Sequence, residues 1–207
     1  MARLNSIDDL RKIIAEPRPT TFKKILDALD EQSIDFLKRC PFALVGTTAP
    51  DGTIEVSPKG DDPGFIRVED PRTLLIPERA GNNLAFGLSN ILATGQIALI
   101  ALVPATGETL RISGTAEIHD DAELVGSLSS LGKPALLATR VHVKHCYFHC
   151  ARSIVRAKLW DPKSWSAPGR VSFGKIIAPR VGAGPEMAEK IDASVEGAYT
   201  TRLWTNG

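Results

Sequence analysis

Val56-Ser57-Pro58-Lys59-Gly60, Leu74-Leu75-Ile76-Pro77-Glu78-Arg79, Asn82-Asn83 and Leu110-Arg111-Ile112-Ser113-Gly114 are the groups on which the reading of this chain turns. Each joins polar or cationic side chains to an apolar run of strand type. That arrangement suits a phosphate-bearing ligand lying across the wall of a β-barrel.

Outward from these groups the texture is that of short strands separated by turn signals. Phe42 to Thr48 and Thr53 to Ser57 flank Ala49-Pro50-Asp51-Gly52 and predict a hairpin. Phe65 to Val68, Arg72 to Pro77, Gln96 to Val103 and Thr109 to Ile118 continue the series, with Pro104-Ala105-Thr106-Gly107 as a second hairpin turn. Arg140 to Cys150 predicts a further strand, with His142, Lys144, Cys146, Phe148 and Cys150 on one face and Val141, Val143, His145, Tyr147 and His149 on the other.

Helical signals surround this core. Ser6-Ile7-Asp8-Asp9 has capping-box spacing, and Leu10, Ile13 and Ile14 follow it as far as Pro17. Phe22, Ile25, Leu26 and Leu29, then Ile34, Phe36 and Leu37, predict two more amphipathic helices ending near Arg39. Helices are also expected over Asn82 to Ala93, Asp120 to Leu131, Ala135 to Thr139, Ala151 to Lys158 and Pro185 to Leu203. The organisation expected is one α+β domain, mainly β with flanking helices: an N-terminal helical extension over 1–40, a barrel core over 41–165, and a turn-rich segment with a last helix over 166–207.

Composition narrows the function classes. With 207 residues, 43% of them hydrophobic and 24% charged, the chain falls in the ordinary globular class and has enough apolar material for a substantial core. A net charge of +1 provides no broad basic field, so neither nucleic acid nor an anionic membrane is implied as a partner, and a small molecule is the better expectation. No apolar run approaches the roughly 18 to 20 residues of a membrane span, and Met1 to Ser6 lacks the pattern of a secretory signal. The expected location is the cytoplasm. Three cysteines, Cys40, Cys146 and Cys150, are too few and too odd for a disulfide framework.

The candidate residues carry competing readings. Ser57, Pro58 and Lys59 place a hydroxyl, backbone amides and an ammonium where a phosphate can bind, or they make an ordinary solvated turn. Glu78, Arg79, Asn82 and Asn83 form a polar cluster that can pair with the edge of a heterocycle, or Asn82 only caps a helix. Arg111 is either an outward-facing strand residue or a clamp for phosphate. His142, His145, His149, Cys146 and Cys150 raise a metal site, against which strand alternation divides the two residue types between faces. Trp160 and Trp165 lie in a turn-like region, where such rings pack in the core, at an interface or on a planar ligand.

In order and register, Val56-Ser57-Pro58-Lys59-Gly60-Asp61, Leu75 to Asn83, Leu110 to Gly114 and Cys146-Tyr147-Phe148-His149-Cys150-Ala151 resemble the pyridoxamine 5′-phosphate oxidase-like family of FMN-binding split barrels, most closely a bacterial subgroup. The likeness runs from about Phe42 to Trp165. It implies a homodimer with two FMN sites built across the subunit interface. On that pattern Val56, Ser57, Pro58 and Lys59, with Ile76, Pro77, Glu78 and Arg79, lie along the flavin ring and ribityl chain. Asn82, Asn83 and Arg111 lie near the phosphate or ring edge, and the second subunit contributes from Arg152 to Trp160. The Trp and Arg-x-His group that the vitamin-processing oxidases carry near their C-terminus has no counterpart over Ser172 to Gly207, which argues against oxidation of pyridoxamine 5′-phosphate itself.

Three functions follow as expectations. The first is an FMN-dependent oxidoreductase acting on a small organic substrate, with no catalytic side chain assigned. The second is a split barrel that holds FMN or haem for storage or sensing without turnover. The third, a metal enzyme built on the His142 to Cys150 segment, is the weakest.

Overall fold

The structure is a computed structural model that describes residues 3–203; the first two residues of the N-terminal extension and the last four of the C-terminal segment lie outside it. Seven antiparallel strands form one sheet in the order β2-β1-β5-β6-β7-β4-β3. They are β1 (Phe42–Thr48), β2 (Ile54–Gly60), β3 (Arg67–Asp70), β4 (Thr73–Glu78), β5 (Gln96–Leu102), β6 (Thr109–His119) and β7 (Leu137–His149). Helices α1 (Ile7–Arg11), α2 (Pro19–Phe22) and α3 (Glu31–Lys38) precede the sheet, α4 (Phe86–Thr94) and α5 (Ala122–Ser127) interrupt it, and α6 (Arg152–Arg156), α7 (Phe173–Ile177) and α8 (Pro185–Thr201) follow it. None of the helices described is long and apolar enough to cross a membrane.

The expected first hairpin forms. The Gly52 amide donates to the Ala49 carbonyl at 2.9 Å, Asp51 accepts from the Thr53 amide, and Gly52 takes φ 88°, where a Cβ is disfavoured. Alternation then sorts the sheet into two faces. The row Ser57, Val45, Leu99, Ile112 and Cys146 runs across five strands on the inner face, beside Lys59, Ala43, Ala101, Leu110 and Phe148. Most of these residues are buried and belong to the main core with Phe36, Leu37, Cys40, Leu74 and Ile76. The sheet curls until β2 returns to β4, and side chains rather than a backbone ladder join that seam: Lys59 pairs with Glu78, and Arg79 with Asp61 just past the end of β2.

Several sequence expectations are corrected. The strict alternation over 142–150 fails, because β7 carries a bulge opposite Ser113 and Gly114. Lys144 and His145 are both exposed, and the phase shift brings Cys146 to the face of Val141 and Val143. Gly114 makes the bulge possible: a Cβ there would meet the His142 carbonyl oxygen at 1.9 Å. Buried Cys146 acts as a core residue, its thiol pushed up to about 11 by burial and by the nearby charges of Asp30 and Asp27.

The region from Phe22 to Leu29 is not a helix beyond the single turn of α2. Leu26 instead exchanges two backbone hydrogen bonds of 2.9 Å with Cys146, so tertiary pairing with β7 overrides the apolar spacing. The helix from Asp120 is short, since it stops at Ser127, and Ala135 to Thr139 is not helical: β7 already starts at Leu137 and pairs with β4 there. The helix placed over Asn82 to Ala93 begins only at Phe86, leaving Asn82 and Asn83 in the loop before it. Beyond the core, α7 was not foreseen. It packs on α8, where Gly174 lies against the Ala188 backbone and Asp192 accepts from Ser172 and the Gly174 amide.

Candidate functional site

Where β2 meets the end of β4, the seam opens into a cleft of about 900 Å³. Its walls come from Val56, Ser57, Pro58 and Lys59 on β2, Pro77, Glu78 and Arg79 at the end of β4, Asn82 and Asn83 in the following loop, and Phe86, Gly87 and Leu88 at the start of α4. Strand alternation explains the mixed lining: Ser57 and Lys59 point inward, while Val56 and Pro58 point outward at the open edge of β2.

The charged groups of the cleft are paired with each other. Lys59 meets the nearly buried Glu78, whose other oxygen accepts from the Thr139 hydroxyl at 2.9 Å. Arg79 donates through Nε to the buried Asp61 side chain at 2.6 Å and through Nη2 to the Leu128 carbonyl at 2.7 Å. Burial pushes the Asp61 carboxyl up, but the Ser130 hydroxyl, the Asp62 amide and the Arg79 guanidinium together pull harder and hold it below the usual carboxylate value. One donor is left over. Arg79 Nη1 is buried and has no hydrogen-bond partner, an arrangement that costs free energy unless an anion or water supplies one.

The loop from Ala80 to Ala85 holds the other uncommitted donors. Asn82 accepts from the Leu84 amide at 3.1 Å, which closes an Asx turn and leaves its amide nitrogen free of any protein partner among the described residues. Asn83 and Ala85 both take left-handed backbone angles, φ 61° and 51°, unusual for residues with a Cβ and a mark of local strain. Gly87 approaches β2 closely: a Cβ there would lie 3.5 Å from Ser57 Oγ and 3.7 Å from Thr47 Oγ1. With a free guanidinium donor, primary amides, the Ser57 hydroxyl and an apolar rim, the donor set fits a planar heterocycle carrying a phosphate.

The sequence-level candidates therefore divide three ways. Val56 to Lys59, Pro77 to Arg79, Asn82 and Asn83 converge on the cleft, while Ile76 is buried in the floor beneath it. Arg111 does not line the cleft. It stands on the outer face of the sheet and donates to the Tyr147 hydroxyl at 3.1 Å. Trp160 lies away from both, its indole N–H held by the Thr106 carbonyl at 2.8 Å. Among the described residues, no group of three or more His, Cys, Asp or Glu side chains gathers as a metal site.

Sequence reasoning missed Asp61 and Thr139 as the partners that hold Arg79 and Glu78, and Gly87 as the point where α4 approaches β2. The acidic Asp61 directly after Lys59-Gly60 was the one available signal. Leu136 and Leu137 also line the cleft, as does Leu203 beyond the end of α8.

Comparison with known proteins follows the same region. Among solved structures, the chain is similar to HupZ of Group A Streptococcus, at 18% identity and a TM-score of 0.47 over 58% of this chain and 93% of that one. It is also similar to a putative pyridoxamine 5′-phosphate oxidase from Lactobacillus delbrueckii, at 23% identity and a TM-score of 0.45 over 59% and 95%. A third similar structure is the FAD binding protein from Mycobacterium smegmatis, at 16% identity and a TM-score of 0.42 over 60% and 97%. No curated protein matches. The family model described as pyridoxamine 5′-phosphate oxidase matches residues 29–150, which hold all seven strands and the whole seam, and on that match across more than half of its length the chain belongs to the pyridoxamine 5′-phosphate oxidase family.

Proposed function

We propose that the protein is an FMN-binding oxidoreductase, with the cofactor in the cleft between β2 and the β4–α4 loop. The observation that carries this reading is the convergence of Val56 to Lys59, Pro77 to Arg79 and Asn82 to Asn83 on one cavity of about 900 Å³, with Arg79 in its wall keeping one buried guanidinium donor unpartnered. Bound there, FMN supplies hydride and electron transfer, and the protein supplies binding and orientation. The phosphate is assigned to Arg79 Nη1 and the loop amides. The polar ring edge is assigned to the Asn82 and Asn83 side chains and Ser57. Lys59 and Glu78 neutralise one another at the cavity wall, so this pair orients the ring edge without adding net charge.

Exposed apolar side chains surround the mouth: Val56, Leu84, Phe86 and Leu136 are each about half exposed or more. Such a ring is suited to cover by protein, and we assign it to a second copy of the chain in a homodimer that excludes water from the flavin. In this arrangement 41–165 is the cofactor-binding core, with 1–40 and 166–207 as peripheral extensions. A second reading, FMN held without turnover, is favoured by the pairing of Lys59 with Glu78 and Arg79 with Asp61, which leaves none of these four free to transfer a proton.

The absorption spectrum of the purified chain, followed by FMN titration, tests the proposal. Flavin bands with about one FMN per chain are expected, and a colourless protein that leaves added FMN unbound overturns it. Oxidation of NADH or NADPH by the loaded protein then separates the two readings: turnover supports the enzyme, and its absence with every acceptor supports the carrier.

A further inference from the structure

Among the described residues, the C-terminal pair of helices meets the flavin cleft at one point. Leu203, just past α8, lines the cleft beside Leu136 and Leu137, and it lies outside the span 29–150 that defines the family. The rest of the pair is occupied with itself. Gly174 of α7 lies so close to the Ala188 backbone that no Cβ fits between them, and the Asp192 carboxylate accepts from the Ser172 hydroxyl and the Gly174 amide. Arg170 pairs with Glu196 and lies over the Tyr199 ring, 5.6 Å from its centre. By contrast α8 runs for 17 residues with none of them buried, and none joins the main core of the barrel.

A tether joins this unit to the barrel. The chain is fastened as far as Trp165, since the indole N–H groups of Trp160 and Trp165 donate to the Thr106 and Leu159 carbonyls. Residues 166–171 are then all exposed, form neither helix nor strand, and make no backbone hydrogen bond among the described residues. A unit whose bonds are internal, on a tether without bonds of its own, moves at little cost. Its approach to the cleft is also unfinished: Leu203 and Leu136 are each 49% exposed, so moving the hairpin inward removes apolar surface from water on both sides.

We propose that the α7–α8 hairpin is a lid on the cleft of its own chain, hinged at 166–171, with Leu203 as the side chain that closes over the bound cofactor, a role that rests on the flavin reading. The lid serves the part of the mouth at Leu136, Leu137 and Leu203, beside the part assigned to the second copy. Closed, it excludes water from the cofactor; open, it gives substrate and product a passage into a site otherwise sealed between subunits. Cofactor that fills the cleft offers Leu203 more apolar surface to cover, so FMN favours the closed state over the open one.

The test is a distance measurement by pulsed electron paramagnetic resonance on the full chain. Nitroxide labels are placed at Glu123→Cys on α5 and Lys190→Cys on α8, both exposed, in a Cys150→Ser background that leaves only the buried Cys40 and Cys146. Labelled chain is diluted into unlabelled chain so that distances within one chain are read. Two populations are expected without FMN, and FMN should gather most of the chain into the docked one. Leu203→Asp places a charge among the apolar residues of the cleft and should lower the ratio of docked to free chain about tenfold. Iodide quenching of the fluorescence of bound FMN should rise about threefold in the same variant, as the closed fraction falls. A single distance that neither FMN nor Leu203→Asp changes overturns the lid. A docked distance present only in the undiluted sample overturns the assignment to the same chain. The two readings fail separately: a chain that leaves FMN unbound but shows two distances that Leu203→Asp redistributes keeps the lid and loses the flavin, and a chain that binds FMN at one fixed distance does the reverse.

Discussion

The two faces of the sheet use charge in opposite ways. On the inner side, at the seam, Lys59 and Arg79 are matched by Glu78 and Asp61, mostly out of water. On the outer side, Arg111 donates to the Tyr147 hydroxyl and has no carboxylate partner among the described residues. A cation that holds two strands together is largely spent, and only its spare donors remain for a ligand; a cation left unmatched at the edge of an apolar surface keeps its whole charge available. The seam therefore gives the barrel its closure and the cleft its shape, and the outer contact of Arg111 with Tyr147 gives little to stability.

The largest effect should come from breaking one inner pair. Glu78→Gln leaves the Lys59 ammonium without its counter-charge in a site where Glu78 is 8% exposed, and the expected loss is about 3 kcal/mol by urea unfolding. Arg111→Met on the other face should cost less than about 0.5 kcal/mol, as surface changes do. Equal costs for the two would break the contrast. The double change Lys59→Met with Glu78→Leu should recover most of the loss, because a buried ion pair replaced by apolar groups is often neutral.

Acid should discriminate between the faces next. The Asp61 carboxyl is held below the ordinary 3.8 when folded, so its contribution to stability is fully present above that value and is lost as pH falls through the lower folded value. Asp61→Asn is expected to cost about 2 kcal/mol at pH 7, and the gap to wild type should shrink as the pH is taken from about 4 downward. A gap that stays constant down to pH 2 would show that the carboxylate charge is not what holds Arg79.

Ligand affinity probes the inner face more finely. Gly87→Leu projects into the gap between α4 and β2, where a Cβ already lies 3.5 Å from Ser57 Oγ. FMN affinity should drop about tenfold, or about 1.4 kcal/mol. Stability to urea should change by less than this, and an unchanged FMN affinity would show that the cofactor does not use the approach of Gly87 to Ser57.

What could be read in the sequence follows from the range of the forces involved. The strands from β1 to β6 announce themselves locally, by alternation and by turn residues such as Asp51-Gly52, and the cleft residues were legible because their polar side chains adjoin those apolar runs, although Val56 to Lys59 lie inside β2 and not at the strand end expected after Ser57. The bulge in β7 was not, since it depends on Gly114 of another strand accepting the His142 carbonyl at a distance no Cβ allows. The same blindness hid the fate of the cations: nothing near Lys59 or Arg79 in the chain says that one faces Glu78 and the other Asp61, 19 and 18 residues away. Asn82 and Asn83 have the composition of a helix start, yet the left-handed turn at Ala85 delays α4 to Phe86 and turns them into a loop that borders the cleft. Leu26 has helical spacing but pairs with Cys146, a partner chosen only when β7 is already in place.

Apart from the Arg111→Met control, the smallest expected effect concerns Trp160, which belongs to neither face. Its indole N–H donates to the Thr106 carbonyl in the turn between β5 and β6, so Trp160→Phe removes one hydrogen bond, leaves the ring in place, and should lower stability by about 1 kcal/mol. Within one chain the cleft does not touch it. FMN binding is more informative, because the family resemblance assigns Arg152 to Trp160 to the flavin of the other subunit. If that assignment holds, FMN affinity in the dimer should decrease by more than the 1 kcal/mol loss in folding stability explains, and dilution to monomer should abolish the excess. An FMN affinity that follows stability alone would make Trp160 only the latch that fastens the C-terminal segment to the turn between β5 and β6.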